Sequence, residues 1–337
     1  MNTMRVDRPG MLSVLQDDGR YGYQRFGVPV NGAMDEWSHR LANVLVGNAA
    51  DCAALEITLN GPTVRFAQDT LIAVTGADIV VTAAGVQLPT HCAVMVRHDV
   101  PIAFGHCRRG ARAYLAVRGG FSPDAVLGSR STNMRAGFGG VAGRALRTGD
   151  RVAVASPYRE MLPLARMMVQ SAMATVAAPR PAGVDGPDVS DVSDAIRFLP
   201  GPQWDRFTPA ARKAFEQETF TVSSQSDRMG YRLEGPALAL SVPLEMVSEA
   251  VSFGTVQVPP GGAPIVLMAD RQSVGGYPKI AYVISADLPR LAQSMPGTAL
   301  RFRAVTPDAA QQELLAMEDR LGAIASEAAR LLGPSPA

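Results

Sequence analysis

The chain of 337 residues is poor in the features that most often betray a function. It has three cysteines, Cys52, Cys92 and Cys107. They are an odd number in no metal-ligand spacing, which argues against a disulfide framework and suits a reducing, cytoplasmic setting. There are four histidines, His39, His91, His98 and His106, with no pair at the helical spacing of metal ligands, so no metal site is expected. Charge of one sign is also missing: Lys+Arg 32 against Asp+Glu 31 leaves +1. That removes the electrostatic case for nucleic acid or an anionic membrane as partner. No apolar run approaches the roughly 18 residues of a membrane span. Residues 1–10 carry charge without the apolar core of a signal peptide. A Gly-x-Ser-x-Gly elbow, a phosphate-binding Gly-Lys-Ser/Thr and a nucleophile–base pairing are all lacking. Redox chemistry and metal-dependent hydrolysis therefore do not suit this chain.

What is present is a strand pattern. The hydrophobic fraction of 47% and charged fraction of 19% are ordinary for a soluble globular protein, and the length favours two domains. Residues 12–15, 55–59, 63–66, 71–75, 79–82, 94–97, 113–117 and 151–155 form short, often β-branched runs. Turn residues separate them: Asn60-Gly61-Pro62, Gly76-Ala77-Asp78 and Arg118-Gly119-Gly120. The pattern resumes at 196–199, 220–222, 255–258, 265–268, 280–284 and 299–304. Short strands at such spacing, without alternating long helices, predict an all-β protein built as an antiparallel barrel or sandwich.

Helices are few. Asp35 is placed to cap one whose apolar face is Trp37, Leu41, Val44 and Leu45, a structural cover over one barrel end. Thr208-Pro209 starts a helix over 209–218, and Thr306-Pro307 starts one reaching about Leu332. The expected organisation is a first barrel over 1–155, a linker over 156–194 rich in Pro, Gly and Ser toward its end, a second barrel over 195–305 and a helical tail over 306–337. The halves echo one another. Asn60-Gly61-Pro62-Thr63-Val64 parallels Glu234-Gly235-Pro236-Ala237-Leu238, and Arg147-Thr148-Gly149-Asp150-Arg151-Val152 parallels Met295-Pro296-Gly297-Thr298-Ala299-Leu300.

The densest polar stretch is Ala269-Asp270-Arg271-Gln272-Ser273-Val274-Gly275-Gly276-Tyr277-Pro278-Lys279, between two apolar runs. Arg271 and Lys279 are suited to a carboxylate or phosphate, and Gly275-Gly276 allows close backbone approach to a ligand. The alternative is a hairpin turn with an internal Asp–Arg pair. Asp227, Arg228, Arg232 and Gln257 extend the set, as do Arg130, Ser131, Asn133 and Arg135 in a glycine-rich loop over 127–140. That loop reads either as a flexible surface loop or as an anion-binding lid. Together these residues suit recognition of a small planar polar ligand and stabilisation of a developing oxyanion.

Four motifs carry a family resemblance. They are Gly-Tyr-Gln-x-x-Gly-Val-Pro-Val-x-Gly-Ala-Met-Asp over 22–35, Leu-Gly-Ser-Arg-Ser-Thr over 127–132, Ser-Asp-Arg-Met-Gly-Tyr-Arg-Leu-Glu-Gly over 226–235 and Asp-Arg-Gln-x-x-Gly-Gly-Tyr-Pro-Lys-Ile over 270–280. In this order the chain resembles the biotin-dependent carboxyltransferases. That family includes the C subunit of 5-oxoprolinase, the regulator KipA, allophanate hydrolase subunit 2 and the carboxyltransferase part of urea carboxylase. The resemblance departs at Tyr21, where the family often has Pro, and at Asp18, where it often has Leu.

The resemblance implies two cyclophilin-like barrels in tandem and a role within an enzyme complex. In a 5-oxoprolinase, the chain would act with a lactamase-like A subunit and a KipI-like B subunit to open 5-oxoproline to glutamate with ATP. As a carboxyltransferase, it would receive carboxylate from biotin on a separate carrier charged by a biotin carboxylase, for an amide or urea-type substrate. The third role is a KipA-like regulator of a kinase inhibitor, docking through barrel strand edges. The chain has no Met-Lys-Met carrier motif and no ATP-grasp segment, so biotin and ATP would be handled by other chains. The catalytic set it implies is Asp227, Arg228, Arg271 and Lys279. An arginine (Arg228, Arg232 or Arg271) would grip a carboxylate, Lys279 and the Gly275-Gly276 backbone would stabilise an oxyanion, and Asp227 or Asp270 would orient an arginine or take a proton. Arg130, Ser131, Asn133, Arg135, Gln257, Gln272 and Tyr277 would contact substrate.

Overall fold

Alternation of Met4 and Val6 inward with Arg5 outward sets the strand Thr3–Arg8, which the charge of this stretch concealed from the sequence reading. The computed structural model describes residues 2–155, 163–171, 173–184 and 195–332, and divides into two units. Unit 1 comprises Met1–Gly19, Asp35–Gly186 and Glu318–Ala337; unit 2 comprises Arg20–Met34 and Pro187–Met317. Residues 20–34, expected within the first barrel, therefore belong with the second.

Unit 1 is built on two long strands, Thr70–Ala83 and Ile102–Val117, paired antiparallel from Ile72 opposite Val117 to Ala83 opposite Ile102. Gly76-Ala77-Asp78, expected to be a turn, is instead a run of register shifts inside the first of them. Irregularities of this kind bend a strand without ending it. The partner strand pairs near its start with Thr63–Phe66 and near its end with Ala54–Thr58. Thr3–Arg8 links Thr63–Phe66 to Arg151–Ala153, and Leu12–Gln16 pairs with Ala54–Thr58. The ten-stranded sheet curls into a nearly closed barrel around Leu55, Val64, Phe66, Ile72, Phe104 and Leu115.

Helix Glu36–Leu45 covers this barrel as predicted: Asp35 accepts from the Ser38 N–H at 2.9 Å, and Trp37, Leu41, Val44 and Leu45 are buried. The stretch expected to be a linker is partly structure of this unit. Its Met- and Ala-rich part forms helix Pro163–Ser171, and Thr175–Ala177 adds an edge strand to Ala93–Val96. Residues 156–162 and 185–194, which include the Pro-, Gly- and Ser-rich end of the expected linker, lie outside the described residues.

Unit 2 is an eight-stranded sheet that closes through one segment. Ala299–Leu300 pairs with Phe220–Val222, and, one residue on, Phe302–Ala304 pairs in parallel with Ile196–Pro200. The two ends of the sheet order are thus joined along a single piece of chain. An aromatic cluster fills the inside: Phe215 stacks on Phe302 with ring centroids 4.6 Å apart and meets Phe198 edge-on at 5.0 Å. Phe215 comes from helix Pro209–Gln217, whose N-cap Thr208 accepts from Ala211 N–H at 3.1 Å. The final helix, Pro307–Leu332, is fixed at its unit 2 end by Arg197, which pairs with Asp287 at 2.7 Å and with Glu313 at 2.9 Å. At its unit 1 end, Arg40 grips Glu318 through both carboxylate oxygens.

The sequence echo has a geometric basis inside each unit. A Cβ on Gly61 would stand 2.3 Å from Phe104 Cβ, and one on Gly235 would stand 2.6 Å from Phe220 Cδ1, so each glycine makes room for a core phenylalanine. The closing turns match bond for bond. Asp150 N–H donates to Arg147 O at 3.1 Å and Thr298 N–H to Met295 O at 3.0 Å. Gly149 and Gly297 share φ near +89° and +88° and donate to Val6 O and Val222 O. In return, Val6 N–H and Val222 N–H donate to Asp150 O and Thr298 O, both at 2.9 Å.

Candidate functional site

Most of the predicted residues gather on unit 2, in two connected pieces. The first is a brace. Asp270 N–H donates to Arg228 O at 2.8 Å and Met268 N–H to Met229 O at 2.9 Å, which lays the two polar loops alongside each other. The Arg228 guanidinium then donates to both oxygens of Asp270, at 2.9 and 3.1 Å, and to Gly32 O at 2.6 Å. Asn31 Nδ2 donates to Asp270 Oδ1 at 2.8 Å, and the buried Arg20 donates to Asn31 Oδ1 at 3.0 Å. Arg228 is only 5% exposed, so this is a desolvated, bidentate pair.

Asp227 is exposed and caps its own turn, its Oδ1 accepting from Met229 N–H at 2.8 Å and Gly230 N–H at 3.2 Å. Arg271 is half-buried. It lies 5.5 Å over the Phe253 ring and donates from Nη1 to Met268 O at 3.4 Å. Gln272 beside it is likewise half-buried, and Tyr277 is 46% exposed.

The second piece lies on the outer face of the barrel. Register places Arg232 opposite Ile265, Ile265 opposite Gln257, and Gln257 opposite Lys279. A bulge between Val256 and Gln257 brings Lys279 into this row although Val256, one residue earlier, faces Ala281 in the core. Arg232 is exposed, whereas Gln257 and Lys279 are buried. What covers them is a two-stranded ribbon, Glu249–Ala250 against Val274–Gly275. Lys279 Nζ donates to Glu249 Oε2 at 2.6 Å, and Gln257 Nε2 donates to Tyr277 O at 3.5 Å. A Cβ at Gly275 would stand 2.3 Å from Gln257 Nε2, and one at Gly276 would stand 3.3 Å from Ser248 Oγ. Neither glycine is left-handed, so at Gly275 it is close approach, and not φ, that excludes a side chain.

The loop over 127–140 belongs to unit 1 and is tied down. Asp17 accepts from Ser129 Oγ and Ser131 Oγ, both at 2.6 Å, from Gly19 N–H and from Arg130 N–H. Asn133 closes the next turn, its Oδ1 accepting from Ala136 N–H at 2.9 Å. Burial pushes the Asp17 carboxyl up, but the bonds from Ser129, Ser131, Arg130 and Gly19 outweigh it and hold it below the usual carboxylate range. Ser131 and Asn133 are buried in this network, while Arg130 and Arg135 are exposed. Behind it, His39 is fully buried, its Nε2 on Cys52 O at 3.0 Å, and burial holds the imidazole below its usual value. Among the described residues, no group of acids, histidines and cysteines could hold a metal ion.

Sequence reasoning missed Asn31, Arg20, Glu249 and Asp17. Asn31-Gly32 reads as a turn, and Glu249 sits in a stretch without periodicity. Asp17 offered a signal: an acid ending a strand, as Ser129 and Ser131 lie in a loop that needs an acceptor.

Both units are curled β-sheets that carry clusters of hydrogen-bonding side chains. The chain belongs to the family of the carboxyltransferase domain, subdomain A and B, whose model matches residues 26–304. It is 38% identical over 294 residues to the 5-oxoprolinase C subunit of Haemophilus influenzae, covering 87% of this chain and 88% of that protein. The Escherichia coli protein of the same name is 38% identical over 299 residues, 89% and 90% of the two. Urea amidolyase of Saccharomyces cerevisiae is 32% identical over 89% of this chain but only 16% of its own length. The crystal structure of Kluyveromyces lactis urea amidolyase matches with a TM-score of 0.83 at 30% identity, over 96% of this chain and 20% of that one. The chain thus spans about a fifth of that protein's length. No helix among the described residues is long and apolar enough to cross a membrane.

Proposed function

We propose that this chain is the C subunit of a cytoplasmic 5-oxoprolinase, acting with a lactamase-like A subunit and a KipI-like B subunit in the ATP-dependent opening of 5-oxoproline to glutamate. The observation that carries this reading is end-to-end similarity. The two 5-oxoprolinase proteins match over 88% and 90% of their own lengths, whereas urea amidolyase matches over a small fraction of its length. The chain has no turnover alone. ATP is used by the other components of the complex, and where biotin takes part it arrives on a separate carrier.

In this reading the brace does no chemistry itself. Asp270 orients Arg228, and Arg228 fixes residues 31–32 through Gly32 O. The substrate's carboxylate and developing oxyanion fall to Arg271 and Arg232, which are open to solvent, and to Lys279 with the Gln257 amide beside it, which lie beneath the ribbon. Donors of this kind suit an anionic carboxyl, including one delivered by a carrier.

The test is ATP-dependent 5-oxoproline hydrolysis by this chain alone, with the purified lactamase-like and KipI-like proteins added, and with Arg271→Ala in the mixture. Turnover is expected only in the mixture and is expected to fall at least tenfold with Arg271→Ala. No turnover in a mixture that assembles would overturn the proposal; full turnover with the variant would remove Arg271 from the mechanism.

A further inference from the structure

Lys279 and Glu249 form an ion pair at 2.6 Å between two very different elements. The lysine is 1% exposed and stands on a barrel strand, Lys279–Val283, paired to Thr255–Gln257 on one side and to Ile196–Pro200 on the other. Its backbone is fixed as well, the N–H donating to Gln203 Oε1 at 2.9 Å. The glutamate is 54% exposed and stands on a ribbon of two residue pairs. None of residues 241–250 is buried, and Val247 within them is 87% exposed. Lifting this stretch uncovers none of its own side chains from the core, so the opening costs little apolar burial. It would, however, strip Lys279 of its counter-charge, which a buried ammonium does not tolerate without a replacement.

We infer that Glu249 occupies the place on Lys279 that the carboxylate of a small organic acid takes when it binds. The exchange is one carboxylate for another on the same Nζ, so the charge at the lysine is conserved. Gln257, directly opposite Lys279 in the register, offers an amide whose bond to Tyr277 O is at the long limit. The Gly275 backbone packs directly against that amide, closer than any side chain would allow. In the proposed reaction the acid is 5-oxoproline, and this identity, unlike the carboxylate site itself, rests on that reading. Glu249 is then a specificity residue that competes with the substrate for Lys279 and rejects ligands too weakly anionic to displace it.

Titration calorimetry on the purified full chain tests the exchange, with 5-oxoproline, acetate and the carboxylate-free lactam 2-pyrrolidinone as probes. Glu249→Gln keeps the shape and removes the competitor; Lys279→Met removes the receiving charge. Expected is that Glu249→Gln binds a carboxylate-bearing probe at least fivefold more tightly than the parent chain, that Lys279→Met abolishes the gain, and that 2-pyrrolidinone responds to neither. Melting temperatures of the variants establish that the fold is kept. Equal or weaker carboxylate binding by Glu249→Gln, or no carboxylate binding by either form, overturns the inference. A gain for acetate without one for 5-oxoproline keeps the carboxylate site and counts against the 5-oxoprolinase reading. In the assembled complex, Glu249→Gln is expected to lower KM with kcat unchanged or reduced; a fall in kcat alone would mark Glu249 as merely structural.

Discussion

Asp270→Asn is the sharpest perturbation of the brace. Asp270 Oδ1 accepts from Asn31 Nδ2 and Arg228 Nη2, and Oδ2 accepts from Arg228 Nε. An asparagine can place its one oxygen at the Oδ1 position and keep two of these bonds. Its NH2 then faces the Arg228 Nε–H, donor against donor, and the guanidinium loses its counter-charge at 5% exposure. Breaking one side of a buried pair costs about 3–5 kcal/mol. With two bonds preserved, about 3 kcal/mol is expected. The chain has two tryptophans, Trp37 in unit 1 and Trp204 in unit 2, the latter against Phe198 and Phe215. In a Trp37→Phe background, Trp204 fluorescence therefore follows unit 2 during urea unfolding. With a slope of roughly 1.5–2 kcal/mol/M, the midpoint should fall by about 1.5–2 M. Adding Arg228→Met, which removes the stranded charge, should recover at least half of that loss. A midpoint shift under about 0.3 M, or a double variant no better than the single one, would refute the brace.

Other outcomes follow from single contacts. The lowered folded-state value of Asp17 means that its stabilisation is fully present above the ordinary carboxylate value and is lost as pH falls below about 3.8. Asp17→Asn should therefore lower the Trp37-reported midpoint (in a Trp204→Phe background) at pH 7 and much less at pH 3; an equal gap at both would contradict this. Gly201→Ala drives a Cβ to 2.3 Å from Lys279 O, a backbone atom, whereas Gly275→Ala meets only the movable end of Gln257. The first should cost about 3 kcal/mol or more and the second about 1, read as urea midpoints; the reverse order would be wrong for this packing. Phe215→Ala should cost about 3–5 kcal/mol, as it removes the ring that Phe198, Phe220 and Phe302 pack on.

Strands were legible where branched residues alternate or cluster, as at Thr63–Phe66 and Phe220–Val222, whose bounds agree with the sequence reading. They were lost where the local signal has two solutions. Gly76-Ala77-Asp78 has turn composition, yet neighbours on both sides keep the strand running and convert the extra length into a bend. Gly230–Glu234 carries only Tyr231 and Leu233 inward and was hidden by the polar residues of its motif. Thr175–Ala177 is a strand because Ala93–Val96 offers an edge, a fact no composition rule contains. The echo between the halves was legible for a physical reason: a glycine against a core phenylalanine and a glycine at positive φ leave few alternatives in sequence.

The site shows the same limit in its charges. Asp227-Arg228 and Asp270-Arg271 each look like an acid beside its own base, and either could have been a local pair. The backbone bond from Asp270 N–H to Arg228 O decides otherwise, setting Arg228 against Asp270 across 42 residues of sequence. Asp227 is left to cap its turn, and Arg271 lies over Phe253. Local sequence thus left the pairing open between the adjacent arginine and a distant one, because pairing is set by register between strands and not by adjacency. Once the acid of one loop is committed to the arginine of the other, a carboxylate ligand cannot take Arg228 without stranding Asp270. Lys279 differs in this respect: its partner Glu249 is half in water and can leave without being stranded. A ligand's charge is best met where the protein's own counter-charge can return to solvent, which on unit 2 is at the ribbon and not at the brace.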